Sequence, residues 1–185
     1  TLAEAGDAAQ RFPGRRLLVN LKGSDPAEAD LMMAYLGRHP GLRDKIMVYG
    51  SGEAVIARLK RIEPGLHVFS KQSMKDCAKA YLLSGWFRFP RTCSDTTVFL
   101  PINYAGFAWG WPDGIARRFE RHGSDIVLVG PAGGGGSGGF SGINDTETFA
   151  RVPSGWTGGL MTDEITVIGP IANRSALVSA PTPTE

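Results

Sequence analysis

The 185 residues are 42% apolar and 21% charged, which is enough hydrophobic material for a globular domain with its own core. The 20 basic and 18 acidic side chains leave a formal charge of +2. The basic ones are scattered, as in Arg15-Arg16, Arg58 to Arg61 and Arg117-Arg118, so a nucleic-acid or membrane-surface stripe is not expected. No run of about 18 apolar residues exists, so no transmembrane helix is expected.

The chain opens on a helix-like stretch, Leu2 to Arg11. Six short runs rich in Val, Ile and Leu then follow in order: Leu17 to Leu21, Lys45 to Tyr49, Leu66 to Ser70, Thr97 to Ile102, Asp125 to Val129 and Gly159 to Thr162. They are continuous rather than alternating, as expected of parallel strands covered on both faces. Helical spacing fills the intervals. Asp25-Pro26-Ala27-Glu28 reads as an N-cap, a first-turn proline and a Glu, leading into Leu31, Ala34 and Tyr35. Val55, Ile56, Leu59 and Ile62 repeat the pattern, as do Met74, Cys77, Ala78, Tyr81 and Leu82 behind a Ser73 cap. After Pro112, a shorter helix places Ile115, Ala116 and Phe119 inward and Arg117, Arg118 and Arg121 outward.

Strand and helix in alternation imply a parallel sheet with right-handed crossovers, either an open doubly wound sheet or a closed barrel. Six strands are about two βα units short of a (β/α)₈ barrel. The run Gly130 to Gly142 is almost all Gly and Ser and predicts a flexible loop over the mouth of a barrel rather than a phosphate loop, because no Lys-Ser/Thr follows it. Asp145-Thr146-Glu147 predicts the cap and first turn of a short helix that Pro153 stops. The chain after Pro170 reads as a frayed tail.

Cys77 and Cys93 are the two cysteines, 16 residues apart. Two alternatives stand at this point: a disulfide, which would place the protein in the periplasm or outside the cell, or two buried thiols in a cytoplasmic protein. A metal site on them is disfavoured because no histidine is near. His39 and His122 read as polar ends of helices, and His67 as a strand histidine inside the core or lumen. Ser51, Ser70 and Ser84 lack a GxSxG context, which argues against a nucleophile elbow.

Thr1-Leu2-Ala3-Glu4-Ala5, the strand LLVNLK at Leu17 to Lys22, and WTGGLMTD at Trp156 to Asp163 together resemble the glycerophosphodiester phosphodiesterase family. YLLSGW (Tyr81 to Trp86) and WGWPDG (Trp109 to Gly114) are similar to a less typical, cysteine-bearing branch of it. The resemblance implies a parallel (β/α) TIM-type barrel lacking its first strands, with residues 1–170 as the partial barrel and 171–185 as a tail. It implies a phosphoric diester hydrolase in which Ca²⁺ or Mg²⁺ polarises a small phosphodiester, one His acts as base and another as acid, and glycerol phosphate and an alcohol are released.

On that resemblance Lys22 is a catalytic cation facing the phosphate from a strand end. Asn20 stands where the family usually has a metal-binding Glu, and Trp109 and Trp111 form an aromatic substrate wall. The family's His-Arg-Gly strand, Glu-x-Asp strand and second His have no counterpart here. Activity is therefore expected to depend on an N-terminal segment or partner chain that completes the barrel. The alternative is a non-catalytic degenerate barrel or a docking subunit.

Overall fold

The computed structural model describes residues 6–7, 11, 16–50, 52–133 and 141–178, with side chains as far as 172. The N-terminal helix expected at Leu2 to Arg11, the centre of the glycine run and the end of the tail fall largely or wholly outside the described residues. The chain divides into two compact units, Thr1–Asp76 and Cys77–Glu185.

The first unit holds three parallel strands in the order β1 (Leu17–Leu21), β2 (Ile46–Gly50), β3 (His67–Ser70). Two crossover helices, α1 (Ala27–Arg38) and α2 (Glu53–Ile62), join them. Ala29, Met32 and Leu36 of α1 and Val55, Ile56 and Leu59 of α2 are buried against Ile46, Val48 and Val68. The buried stripe of α1 is thus one residue out of step with the expected one, since Leu31 is 67% exposed. Asp25 does cap α1, its Oδ1 accepting the Ala27 N–H at 2.9 Å.

The third helix, α3 (Lys71–Ser84), follows β3 without a loop, and the division between the units falls inside it. Ser70, not Ser73, is the cap. The Ser73 N–H donates to Ser70 Oγ at 3.0 Å, and the Ser70 N–H donates to Ser73 Oγ at 2.8 Å. This is the reciprocal arrangement of a capping box with a hydroxyl in place of the carboxylate, and it starts the helix three residues earlier than Ser73 would.

The second unit has its own three parallel strands in the order β4 (Thr97–Pro101), β5 (Asp125–Val129), β6 (Gly159–Leu160). β4 lies at the edge of this sheet and ends on Pro101. The helices α4 (Asp113–Glu120), α5 (Thr146–Phe149) and α6 (Ile165–Val178) complete it, α6 carrying Pro170 within its span. Asp145 caps α5 as expected, accepting the Thr148 N–H at 2.6 Å and the Thr148 hydroxyl at 2.9 Å. These two bonds, the backbone one first, hold its carboxyl below the usual carboxylate range.

The barrel expectation is overturned. The six strands lie where the apolar runs placed them, and every pairing is parallel, but they form two separate three-stranded sheets. Among the described residues no ladder joins β3 to β4, whereas a TIM barrel closes eight strands in one sheet. Strand-helix alternation is common to open and closed sheets, so the repeat itself could not separate them.

Cys77 and Cys93 are joined as a disulfide with a Cα–Cα separation of 4.7 Å, both fully buried. The bridge fastens α3 to the short 3₁₀ turn Arg91–Cys93 that precedes β4. Arg118 of α4 is not simply outward-facing. Its guanidinium donates to the Gly85 carbonyl beyond the end of α3 and lies 5.6 Å from the Tyr81 ring centroid. Replacing both cysteines by Ser is expected to lower unfolding free energy by about 3 kcal/mol, the chain-entropy value for a loop of this length. Urea melts of the oxidised, reduced and doubly substituted protein check this, and the last two should agree.

Candidate functional site

In a parallel sheet the connections leaving the carboxyl ends of the strands carry most ligand sites. In the first unit that edge is built from the ends of β1, β2 and β3.

β1 turns Leu17, Val19 and Leu21 to the helix-covered core and leaves Leu18 and Asn20 on the other face. Asn20 is exposed and sits in register with Tyr49, which in turn is in register with Phe69. The Tyr49 and Phe69 rings lie 5.4 Å apart, and His67 meets the edge of Phe69 at 6.0 Å. Lys22 follows the last residue of β1 and is exposed.

The chain leaving β1 and the chain leaving β2 touch backbone to backbone. A Cβ at Gly52 would lie 2.6 Å from the Gly23 carbonyl oxygen and 3.0 Å from Ser24 Cα, so only glycine lets the two connections approach. Beside them, buried Ser70 donates its hydroxyl to Glu53 Oε2 at 3.0 Å, and Glu53 Oε1 accepts the Gln72 N–H at 3.3 Å. The carboxylate thus lies on the first turn of α3, where the helix dipole favours it. Burial, and then the nearby Glu53 charge, raise the Tyr49 hydroxyl above its ordinary value of 10.0.

The second unit gathers a different set at its carboxyl edge. Asp163, just beyond β6, accepts the Asn144 amide at 3.1 Å and the Gly142 N–H at 3.3 Å, while the Asp163 N–H donates to Asn144 Oδ1 at 2.9 Å. Thr162 also donates to that amide oxygen at 3.3 Å. The Asn103 side chain accepts the Ala132 N–H at 2.9 Å, holding the start of the glycine run against the end of β4.

The two tryptophans of the expected wall have unlike environments. Trp109 is 45% exposed, its indole donating to the Leu82 carbonyl at 3.0 Å and its own carbonyl accepting the Tyr81 hydroxyl at 2.8 Å. Trp111 is half-buried and packs on Trp156 with ring centroids 5.3 Å apart. Lys22 and Asn20 therefore share the first unit, and Trp109 and Trp111 the second.

Sequence reasoning missed Glu53, Ser70, Trp156 and the Asn144–Asp163 clasp. Only Ser70 carried a readable signal, the three-residue interval to Ser73.

A Ca²⁺ or Mg²⁺ ion does not fit these residues. Asn20 has no carboxylate in register beside it, Glu53 is engaged by Ser70 and Gln72, and the Asp163 carboxylate is engaged by Asn144 and Gly142. Hard cations take six to eight oxygens, usually with several carboxylates. Among the described residues no group of three or more His, Cys, Asp or Glu side chains could hold a metal.

No family model, curated protein or solved structure matches this chain.

Gly52→Ala is expected to destabilise the protein by roughly 1–3 kcal/mol, because the added methyl meets backbone on both sides. Gly37→Ala, in α1 with open space around the new methyl, is expected to stabilise by roughly 0.4–1 kcal/mol. Paired urea melts read both signs. Tyr49 should ionise above 10.0 in an ultraviolet titration, with Glu53→Gln moving it part of the way back. The raised value also means that stability associated with Tyr49 is present below about pH 10 and is lost as pH climbs through its folded value. Tyr49→Phe should flatten that loss.

Proposed function

We propose that this chain recognises a small phosphodiester at the carboxyl edge of the β1–β2–β3 sheet and serves as part of a phosphoric diester hydrolase resembling the glycerophosphodiester phosphodiesterases. The observation that carries the reading is the position of Lys22: an exposed ammonium immediately after a parallel strand, at the edge where such sheets take their ligands. The likeness of TLAEA, LLVNLK and WTGGLMTD to that family is separate support and rests on sequence alone.

Lys22 would act as a point countercharge to a phosphoryl oxygen, and Asn20, two positions earlier along the strand, offers an amide donor and carbonyl. The space beside Gly52 is taken by the backbone of Gly23 and Ser24, and that beside Gly23 by the Glu28 carboxylate, so a ligand would meet Lys22 and Asn20 from the exposed face of β1. Bond cleavage would need an acid and a base. Glu53 and Glu28 both bring carboxylates to this edge; the hydrogen bonds of Glu53 commit it to α3, and Glu28 lies against Gly23. The described residues thus support phosphate recognition, and the hydrolytic step rests on the family likeness.

The buried disulfide supports a periplasmic or extracellular setting. No helix among the described residues is long and apolar enough to cross a membrane.

Calorimetric titration with glycerophosphocholine is expected to give saturable binding that inorganic phosphate competes with. Lys22→Ala should weaken it about tenfold or more, the scale of one charge-assisted hydrogen bond, and Lys22→Arg should retain most of it. Raising ionic strength should weaken the wild-type interaction, because an exposed charge is screened within about 10 Å at 0.1 M salt. Equal affinity in Lys22→Ala would overturn the reading. Turnover of the same ester with Ca²⁺ or Mg²⁺ added reports separately on hydrolysis.

A further inference from the structure

We propose that an apolar cavity in the second unit binds the hydrocarbon chain of a single-chain amphiphile, a site that does not depend on the phosphate reading above. The cavity has a volume of about 460 Å³, within the roughly 300–1,000 Å³ typical of small-molecule sites. Its walls include Cys77 and Tyr81 of α3, Val98 and Leu100 of β4, and Phe119 of α4. None of the lining side chains is charged, and only Tyr81 and Tyr104 carry a hydroxyl.

That lining chooses the class of occupant. The Tyr81 hydroxyl already donates to the Trp109 carbonyl at 2.8 Å. A polar molecule entering the cavity would lose its hydration and find no partner. An extended peptide segment would bring backbone N–H and C=O groups with the same need, and a helix, about 10 Å across, is far wider than a hydrocarbon chain. A hydrocarbon chain asks for nothing but contact.

The cavity is also prevented from closing on itself. The disulfide pins α3 on one side. Arg118 holds α4 to the Gly85 carbonyl and the Tyr81 ring. An apolar space held open in this way gives the water that enters it no hydrogen-bond partners, so an apolar ligand that displaces this water gains both its own burial and dispersion contacts with the walls. Tyr104 and Phe107 also line the cavity but are 55% and 75% exposed, which places them at its mouth, where a head group would remain in water.

Titration with alkyl phosphocholines of six to twelve carbons, each below its micellar concentration, tests this. Affinity is expected to rise about fourfold per methylene, the free energy of burying one CH₂, and to level off once the cavity is full. In Lys22→Ala, which removes the phosphate contact proposed above, dodecyl maltoside should bind about as tightly as dodecylphosphocholine and as it does to the wild type, which separates chain binding from phosphate binding. Ala78→Phe, which puts a ring into the cavity from α3, should weaken both at least tenfold while keeping the helical circular-dichroism signal. Affinity that is flat with chain length, or that follows the head group in Lys22→Ala, or Ala78→Phe binding like wild type, would overturn the proposal. The wild-type chain-length series decides even where the variant fails to fold.

Discussion

The register of β4 against β5 is set by a knot of side-chain and backbone bonds before the ladder begins. Ser124 Oγ donates to the Cys93 carbonyl at 2.6 Å and accepts the Thr96 N–H at 3.1 Å, and the Asp95 N–H donates to the His122 carbonyl at 3.1 Å. The disulfide-bonded turn, the start of β4 and the turn before β5 are thereby one assembly. Asp125 N–H then donates to the Thr96 carbonyl, and Thr97 faces Asp125 as the first ladder pair. A slip of one residue would exchange the two faces of a strand, so this buried node decides which side chains of β4 line the core of the second unit. Cys93 contributes both its sulfur, to α3, and its carbonyl, to Ser124, and so links helix packing to strand register.

The first unit solves the corresponding problem with polar groups rather than a covalent bond. Glu53 opens α2, and its carboxylate reaches across to the hydroxyl of Ser70 and the Gln72 N–H, so the entries to α2 and α3 share one charge. With Gly23 and Gly52 in backbone contact, the carboxyl edge is tightly drawn together and leaves Lys22 standing out from it. In the second unit, by contrast, Asn144 and Asp163 satisfy each other at the corresponding edge instead of presenting free groups outward.

Strand positions were legible to within one or two residues because continuous Val, Ile and Leu runs have few other uses in a short α/β chain. The helices between the strands were equally legible, but α6 was not, because Pro170 read as the start of a frayed tail and the helix runs through it to Val178. Nor was the face of α1, since Leu31 and Met32 are both apolar and only packing shows which is covered. The two-sheet arrangement was hidden because a missing ladder between β3 and β4 leaves no mark in residue type. Arg118 was hidden too, for a different reason: a long cationic side chain on a helix reads as solvent-facing until the carbonyl it reaches is known. Of the expected site residues, Lys22 and Asn20 lie at the end of β1 as the strand pattern implied, but the sequence could not show that the tryptophans belong to the other unit and that Trp111 already has Trp156 as its neighbour.

Pro101 closes β4 at the margin of its sheet. The next residue, Ile102, donates its N–H to the Val129 carbonyl of β5, so alternation along the strand directs position 101 away from β5. There proline offers no N–H. A stray strand from another molecule, aligning along that margin, would meet a missing donor where it needs one. The strand therefore resists recruiting further strands at its carboxyl end, a protection against fibrous association built into the backbone rather than conferred by surface charge.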